Sequence, residues 1–361
     1  MNDRERFVAC VLGEPVDRPP YWLYWGPWPT TWQRWEREGK PADIENARTC
    51  FDPDHPPVII PVNAGPCPRI EPRVVEEDDV SVVSYDSWGI KRRDFRHTQS
   101  MSEFIEFPVK RRADWERFRK ERLDPAHPDR LAGDWLAHAT YWREQGAPLQ
   151  LGYYPDVGLY GAVRWMLGDE ECLVTFCTDP DLIHEMMEHM TNVYLAVFGE
   201  VVKHCRVDVI HMWEDMCGRQ GPLISPDQWR AFMGPHYARI RAFADRHGIP
   251  VLSVDTDGQP ELIIPPMMDA GVNLLFPMEV AAGCDVNRTR AEHPSLALMG
   301  GIDKRALADG PDAIEAELER IRPAVESGRY IADLDHLIPD DVSWDNYCYY
   351  ARALRDLVGK G

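Results

Sequence analysis

Short β-branched runs, each followed by a helix-patterned stretch, recur along this chain and constrain its fold more than any other feature. The clearest copy begins at Val251. Val251 to Val254 reads as a buried strand; Asp255, Thr256 and Asp257 follow it, and Gly258 permits a sharp exit turn. Pro260 to Ala270 is helix-like, and Val272 to Phe276 is a second strand. Strand, acidic turn, helix and strand make a βαβ unit, whose ligands sit at the carboxyl ends of the strands. Further strands are expected near residues 21, 58, 149, 208, 296 and 330, the copy at 58 leading into a hairpin between Val80 and Phe95. Eight such units point to an α/β fold, a (β/α)8 TIM barrel with an N-terminal extension, built from residues 1–361 as one domain.

Composition narrows the function. The chain is 44% hydrophobic, enough for a large core, and its formal net charge of −20 argues against nucleic acid or an anionic membrane as partner. Nine scattered cysteines without a C-x-x-C pair fit reduced thiols. The charged start from Met1 to Phe7 has no secretory apolar core, and no apolar run reaches membrane length, so a cytoplasmic protein is expected.

In a barrel of this kind the residues just past each strand line one mouth. Here they are Trp25, Asn63, Tyr153, Tyr154, Glu214, Asp215, Asp255, Asp257, Glu279, Asp303, Asp335 and His336, with His211 slightly below. So many carboxylates raise one another's pKa unless a cation, shared protons or arginines such as Arg164, Arg219 and Arg305 intervene. Each has a plainer reading. Asp215, Asp303 and Asp335 could cap the helices that follow, and His211 could be a hydrogen-bonded core residue. Strand parity leaves open whether His211 or Glu214 faces inward. Asp255 and Asp257, of one parity beside a glycine, favour chemistry. Trp25 and Trp28 favour a stacking wall. His184 to His189 (HEMMEH) is not a zinc-protease motif and reads as a solvated helix face.

Four stretches, in order, resemble the uroporphyrinogen decarboxylase superfamily: Arg4 to Pro20, Gly221 to Arg230, Met299 to Ala308 and Asp335 to Asn346. The resemblance implies a barrel, usually a homodimer, with its site in the mouth. It also implies two chemistries. One is cofactor-free decarboxylation of uroporphyrinogen by an aspartate and arginines; the other is methyl transfer between a corrinoid and a thiol at zinc held by H-x-C and a later cysteine. This chain departs from both. Tyr21 to Trp28 replaces the arginine signature, and Asn63 stands near the expected aspartate. The H-x-C positions correspond to Asp255 and Asp257, and the later cysteine to His336.

The leading expectation is therefore metal-assisted methyl transfer. Asp255, Asp257 and His336 would hold a divalent ion, zinc first, with a corrinoid on a partner protein as methyl donor. Asp257, Glu214, His211 and His336 are the catalytic candidates. Trp25, Trp28, Asn63, Tyr154 and Arg164 would meet a small-molecule substrate. Two alternatives stand beside it: a metal-free decarboxylase using Asp257 or Glu214 as acid, and a non-catalytic binder of a corrinoid or tetrapyrrole.

Overall fold

A computed structural model of the chain describes residues 1–96 and 101–361. Its centre is a parallel sheet assembled from strands far apart in sequence. In chain order the strands are β1 (Val58–Ile59), β2 (Arg73–Glu77), β3 (Ser81–Tyr85), β4 (Lys91–Phe95), β5 (Glu103–Glu106), β6 (Leu149–Leu151), β7 (Val209–Trp213), β8 (Cys217–Gly218), β9 (Gly221–Pro222), β10 (Val251–Asp255), β11 (Leu274–Phe276), β12 (Ala297–Ile302) and β13 (Tyr330–Leu334). Seven of them form the curled sheet of the barrel, in the order β1-β6-β7-β10-β11-β12-β13.

Alternation along these strands separates two cores. Val209, Val251, Leu274, Ala297, Met299 and Ile331 point into the barrel, where Phe7 and Val11 of the helix Asp3–Leu12 meet them. Ile210, Met212, Leu252, Val254, Leu275, Leu298, Ala332 and Leu334 point outward, against the surrounding helices. The N-terminal extension thus packs against the barrel interior. Its helix begins with a capping box on Asn2 and Glu5 and stops at Gly13 in the left-handed conformation.

Two expectations change. The segment Tyr21 to Trp25 lies in the eighth position of the barrel but is not a strand. Its ties to β13 are irregular: Tyr24 N–H donates to Asp333 Oδ2 (2.7 Å), and the backbones meet again further on as Ile338 N–H donates to Gly26 O (3.1 Å) and Trp28 N–H to Ile338 O (3.1 Å). A buried carboxylate therefore replaces a ladder bond, and the prolines at 19, 20, 27 and 29 cannot donate to a ladder at all. The hairpin after β1 is larger than expected, a four-stranded antiparallel sheet in the order β2-β3-β4-β5. Its last strand, Glu103–Glu106, is followed by the helix Arg112–Arg122.

Candidate active site at the strand ends

Residue parity decides what enters the mouth. His211 shares the inward face of β7 with Val209. Its Nδ1 lies 3.1 Å from Ser253 Oγ on β10, and its ring stacks on Phe276 at 5.3 Å. Burial pushes its pKa down to about 4, so the imidazole is neutral near pH 7. Glu214 has the opposite parity and points away from the mouth. It accepts hydrogen bonds from Leu159 N–H and Gly161 N–H (3.0 Å each) and from the Tyr237 hydroxyl (2.6 Å). Burial pushes its carboxyl up to about 7 against these donors. The helix Tyr160–Leu167 comes this close because Gly158 and Gly161 lack side chains; a Cβ at either would lie within 2.3 Å of Trp213 O. Glu214 therefore anchors a helix to β7, where sequence reading had placed a proton-moving group.

The mouth holds a different carboxylate from the same strand exit. Asp215, at a φ of 44°, turns back over β10, whose Asp255 carbonyl accepts Glu214 N–H at 2.9 Å. One oxygen from each of Asp215, Asp255 and Asp257 lies within 4.8 Å of the others. Asp255 accepts no side-chain hydrogen bond from any described residue. Burial and the neighbouring carboxylates push Asp255 well above the usual range and Asp257 up to about 8. Asp215 is raised as well, by burial, though Arg164 opposes this with Nη1 3.4 Å from Oδ2. Of the other arginine candidates, Arg305 forks onto Asp303, and Arg219 is exposed in the β8–β9 turn.

His336 stands beside this triad. Its Nε2 is 3.7 Å from Asp257 Oδ2, and its ring lies flat on Trp25, with centroids 4.7 Å apart and planes at 17°. Burial lowers its pKa. The expected Asp255–Asp257–His336 grouping is thus a three-aspartate cluster with the imidazole at its edge. Asp215, weighed earlier as a helix cap, is its third member; the register that sets Trp213 opposite Asp255 brings it there. Of the other acids, Asp303 caps the turn Lys304–Leu307 that follows it, while Asp335 and Glu279 accept amides from other segments instead of capping the helices after them. Asp303 accepts Arg305 N–H, Asp335 accepts Val280 and Lys304 N–H, and Glu279 accepts Gly258 N–H.

The remaining expected residues divide. Tyr154 sits edge-on to Trp213 at 4.7 Å and forms part of an aromatic wall with Trp165. Tyr24, not singled out from sequence, brings its ring edge-on to both Trp25 (5.3 Å) and Phe276 (6.0 Å). Trp28 precedes the helix Pro29–Arg37 and makes no ring contact with these aromatics among the described residues. Asn63 is occupied by its own turn, accepting Gly65 N–H and donating to Pro66 O. The two histidines of the 184–189 segment diverge, His184 onto the Phe232 ring and His189 to Leu123 O.

A parallel barrel whose ionisable groups gather at the carboxyl ends of its strands is the class that fold and site define. The sequence profile of the uroporphyrinogen decarboxylase (URO-D) family matches residues 164–357, more than half of the chain, and the chain belongs to this family. The matched part contains Asp215, Asp255, Asp257 and His336; the departing segment Tyr21 to Trp28 lies before it. Among curated relatives, the uroporphyrinogen decarboxylase of Nocardia farcinica is 26% identical over 341 residues, covering 90% of this chain and 86% of the relative. That of Rhodococcus erythropolis is 27% identical over 207 residues, 54% of this chain and 53% of the relative. Among solved structures, a methyltransferase from Methanosarcina mazei shares the fold with a TM-score of 0.60 and 17% identity, over 99% of this chain and 98% of that one. No described helix is long and apolar enough to cross a membrane.

Proposed function

We propose that this URO-D-family chain is a metal-assisted methyltransferase. Its divalent ion would be held by Asp255, Asp257 and Asp215 with His336 alongside, and its methyl donor would be a corrinoid on a partner protein. The observation that carries this reading is the Asp215–Asp255–Asp257 convergence, in which the Asp255 carboxylate accepts no hydrogen bond from any described residue. Hard oxygen donors with one imidazole suit zinc or manganese, so the residues fit such an ion. When bound, the ion supplies Lewis acidity that makes an acceptor thiol or hydroxyl a better nucleophile at neutral pH.

The protein's own groups do the rest. His336, held flat by Trp25 with its Nε2 3.7 Å from Asp257 Oδ2, would complete the donor set, and the proton the acceptor gives up would pass to solvent. Trp213, Tyr154 and Trp165 wall one side of the mouth, and Tyr24 with Phe276 shapes the other. His211 stays neutral below the cluster and positions Ser253. A cytoplasmic homodimer acting on a small molecule is the setting proposed for it. The test is corrinoid demethylation followed by absorbance, with methylcobalamin as donor and a small thiol as acceptor. Turnover that chelator abolishes and zinc or manganese restores is expected; turnover indifferent to chelator overturns the reading.

A second reading, metal-free decarboxylation, draws support from the names of the curated relatives and from Asp257. Its carboxyl, pushed up to about 8, holds a proton near pH 7 as a general acid must. Against it, several cations near the mouth are already engaged: Arg164 with Asp169 and Asp215, Lys304 with Asp335, Arg69 with Asp156. A tetrapyrrole bearing many carboxylates needs such partners free. Carbon dioxide released from uroporphyrinogen with chelator present would establish this second reading.

A further inference from the structure

A cavity of about 370 Å³ opens beyond the ends of β1 and β6, separate from the aspartate cluster. Its apolar lining includes Ile60, Val62, Val157 and Phe198. Four charged residues also line it, and they differ in how they are balanced. Asp156 is neutralised by Arg69, which forks onto both its oxygens, while Trp88 Nε1–H donates to Oδ1. Asp129 is two-thirds exposed and solvated.

Arg130 is the exception. It is 2% exposed and, among the described residues, forms no ion pair with a carboxylate. Its guanidinium donates only to backbone carbonyls: Nε to Asp124 O, Nη1 to Asn63 O and Gly65 O, and Nη2 to Arg122 O at a long 3.4 Å. A guanidinium has five N–H donors, so these four contacts leave one on Nη2 unused. A buried cation paired directly with no carboxylate is costly, and burial pushes this guanidinium below the ordinary arginine range although Asp124 and Asp156 lie near enough to oppose the shift. In a protein of net charge −20, such a site attracts an anion where most of the surface repels one.

We propose that this cavity is a binding site for a small carboxylate with a short apolar body. The carboxylate would take the free N–H of Arg130, and the body would lie against Ile60, Val62, Val157 and Phe198. The cavity volume suits a molecule of that size. Tyr153 lines the cavity and packs against Tyr154 at 6.4 Å, and Tyr154 packs against Trp213 at the end of β7. An aromatic path therefore joins the cavity to the mouth. The site does not depend on a metal at the aspartates.

The test is calorimetric titration of the full chain, with and without chelator, using hexanoate, hexanamide and hexylammonium as probes. Hexanoate should bind saturably and at least about tenfold tighter than the amide, the margin a charge-assisted hydrogen bond provides. Hexylammonium should not compete with it. Because Arg130→Met removes contacts that hold the backbone, Ala132→Trp is the cleaner variant. Ala132 is exposed at the cavity rim, and the indole should weaken hexanoate binding at least about tenfold by filling the entrance. Absence of saturable binding, equal affinity for the amide, or binding unchanged in Ala132→Trp would each overturn the proposal. Chelator should change none of these results, so failure here is separable from failure of the metal reading.

Discussion

Replacing Asp255 by Asn should stabilise the metal-free protein and destabilise the metal-loaded one. At 4.8 Å and an effective dielectric of about 20, each carboxylate pair in the cluster repels by about 3.5 kcal/mol. Asp255→Asn removes two such pairs. Protons already shared within the cluster relieve part of that repulsion at neutral pH, leaving a gain of about 2–4 kcal/mol. For 361 residues the unfolding entropy converts this to a rise of about 3–5 °C in Tm. The pH dependence has a definite sign. Asp257 ordinarily titrates at 3.8 and here near 8, so its contribution favours folding at low pH and is lost as pH rises through that window. The advantage of the Asn variant should therefore be larger at about pH 8.5 than at about pH 5. With zinc or manganese present the order reverses, because only the wild type keeps its full ligand set and gains binding free energy on folding. Thermal unfolding of both proteins, in chelator and in metal, reads all four states. A Tm shift of the same sign and size with and without metal would refute the reasoning.

Three other outcomes follow from the same geometry. Glu214→Ala leaves two backbone N–H groups and the Tyr237 hydroxyl without their buried acceptor, which should cost about 3 kcal/mol or more in denaturant unfolding while metal content stays unchanged. His211→Gln should remove a pH-linked loss of stability. The imidazole shifts from 6.5 to about 4 on folding, so it contributes about 3 kcal/mol above pH 6.5 that disappears as pH falls through 4, and unfolding midpoints measured across that range should flatten in the variant. Trp25→Ala removes the ring that orients His336, and ion affinity measured by chelator competition should fall about tenfold.

How much of this was legible in the sequence depended on whether a feature is local. Cap signals are local: an Asp or Ser just before a proline marks a helix start, and Asp179 accepts Leu182 N–H at the start of the helix Pro180–Val201 while Ser225 forms a capping box with Gln228. The strand Val251–Asp255 and its acidic exit were visible because β-branched residues, carboxylates and Gly258 occur together. What escaped was set by pairing at long range. The side on which Glu214 falls depends on a one-residue parity, which the sequence leaves open. Asp215 joins the cluster through the register between β7 and β10. Tyr21 to Trp25 has the composition of a strand, yet the amide of Tyr24 is claimed by the Asp333 side chain, a partner more than 300 residues away.

Elemental analysis of protein purified without chelator reaches the aspartate convergence most directly. Close to one zinc or manganese ion per chain is expected in the wild type, with loss of the ion in Asp255→Asn and Asp257→Asn. Fewer than about a tenth of an ion per chain in the wild type, or full occupancy retained in both variants, would contradict the metal centre on which the proposed chemistry rests.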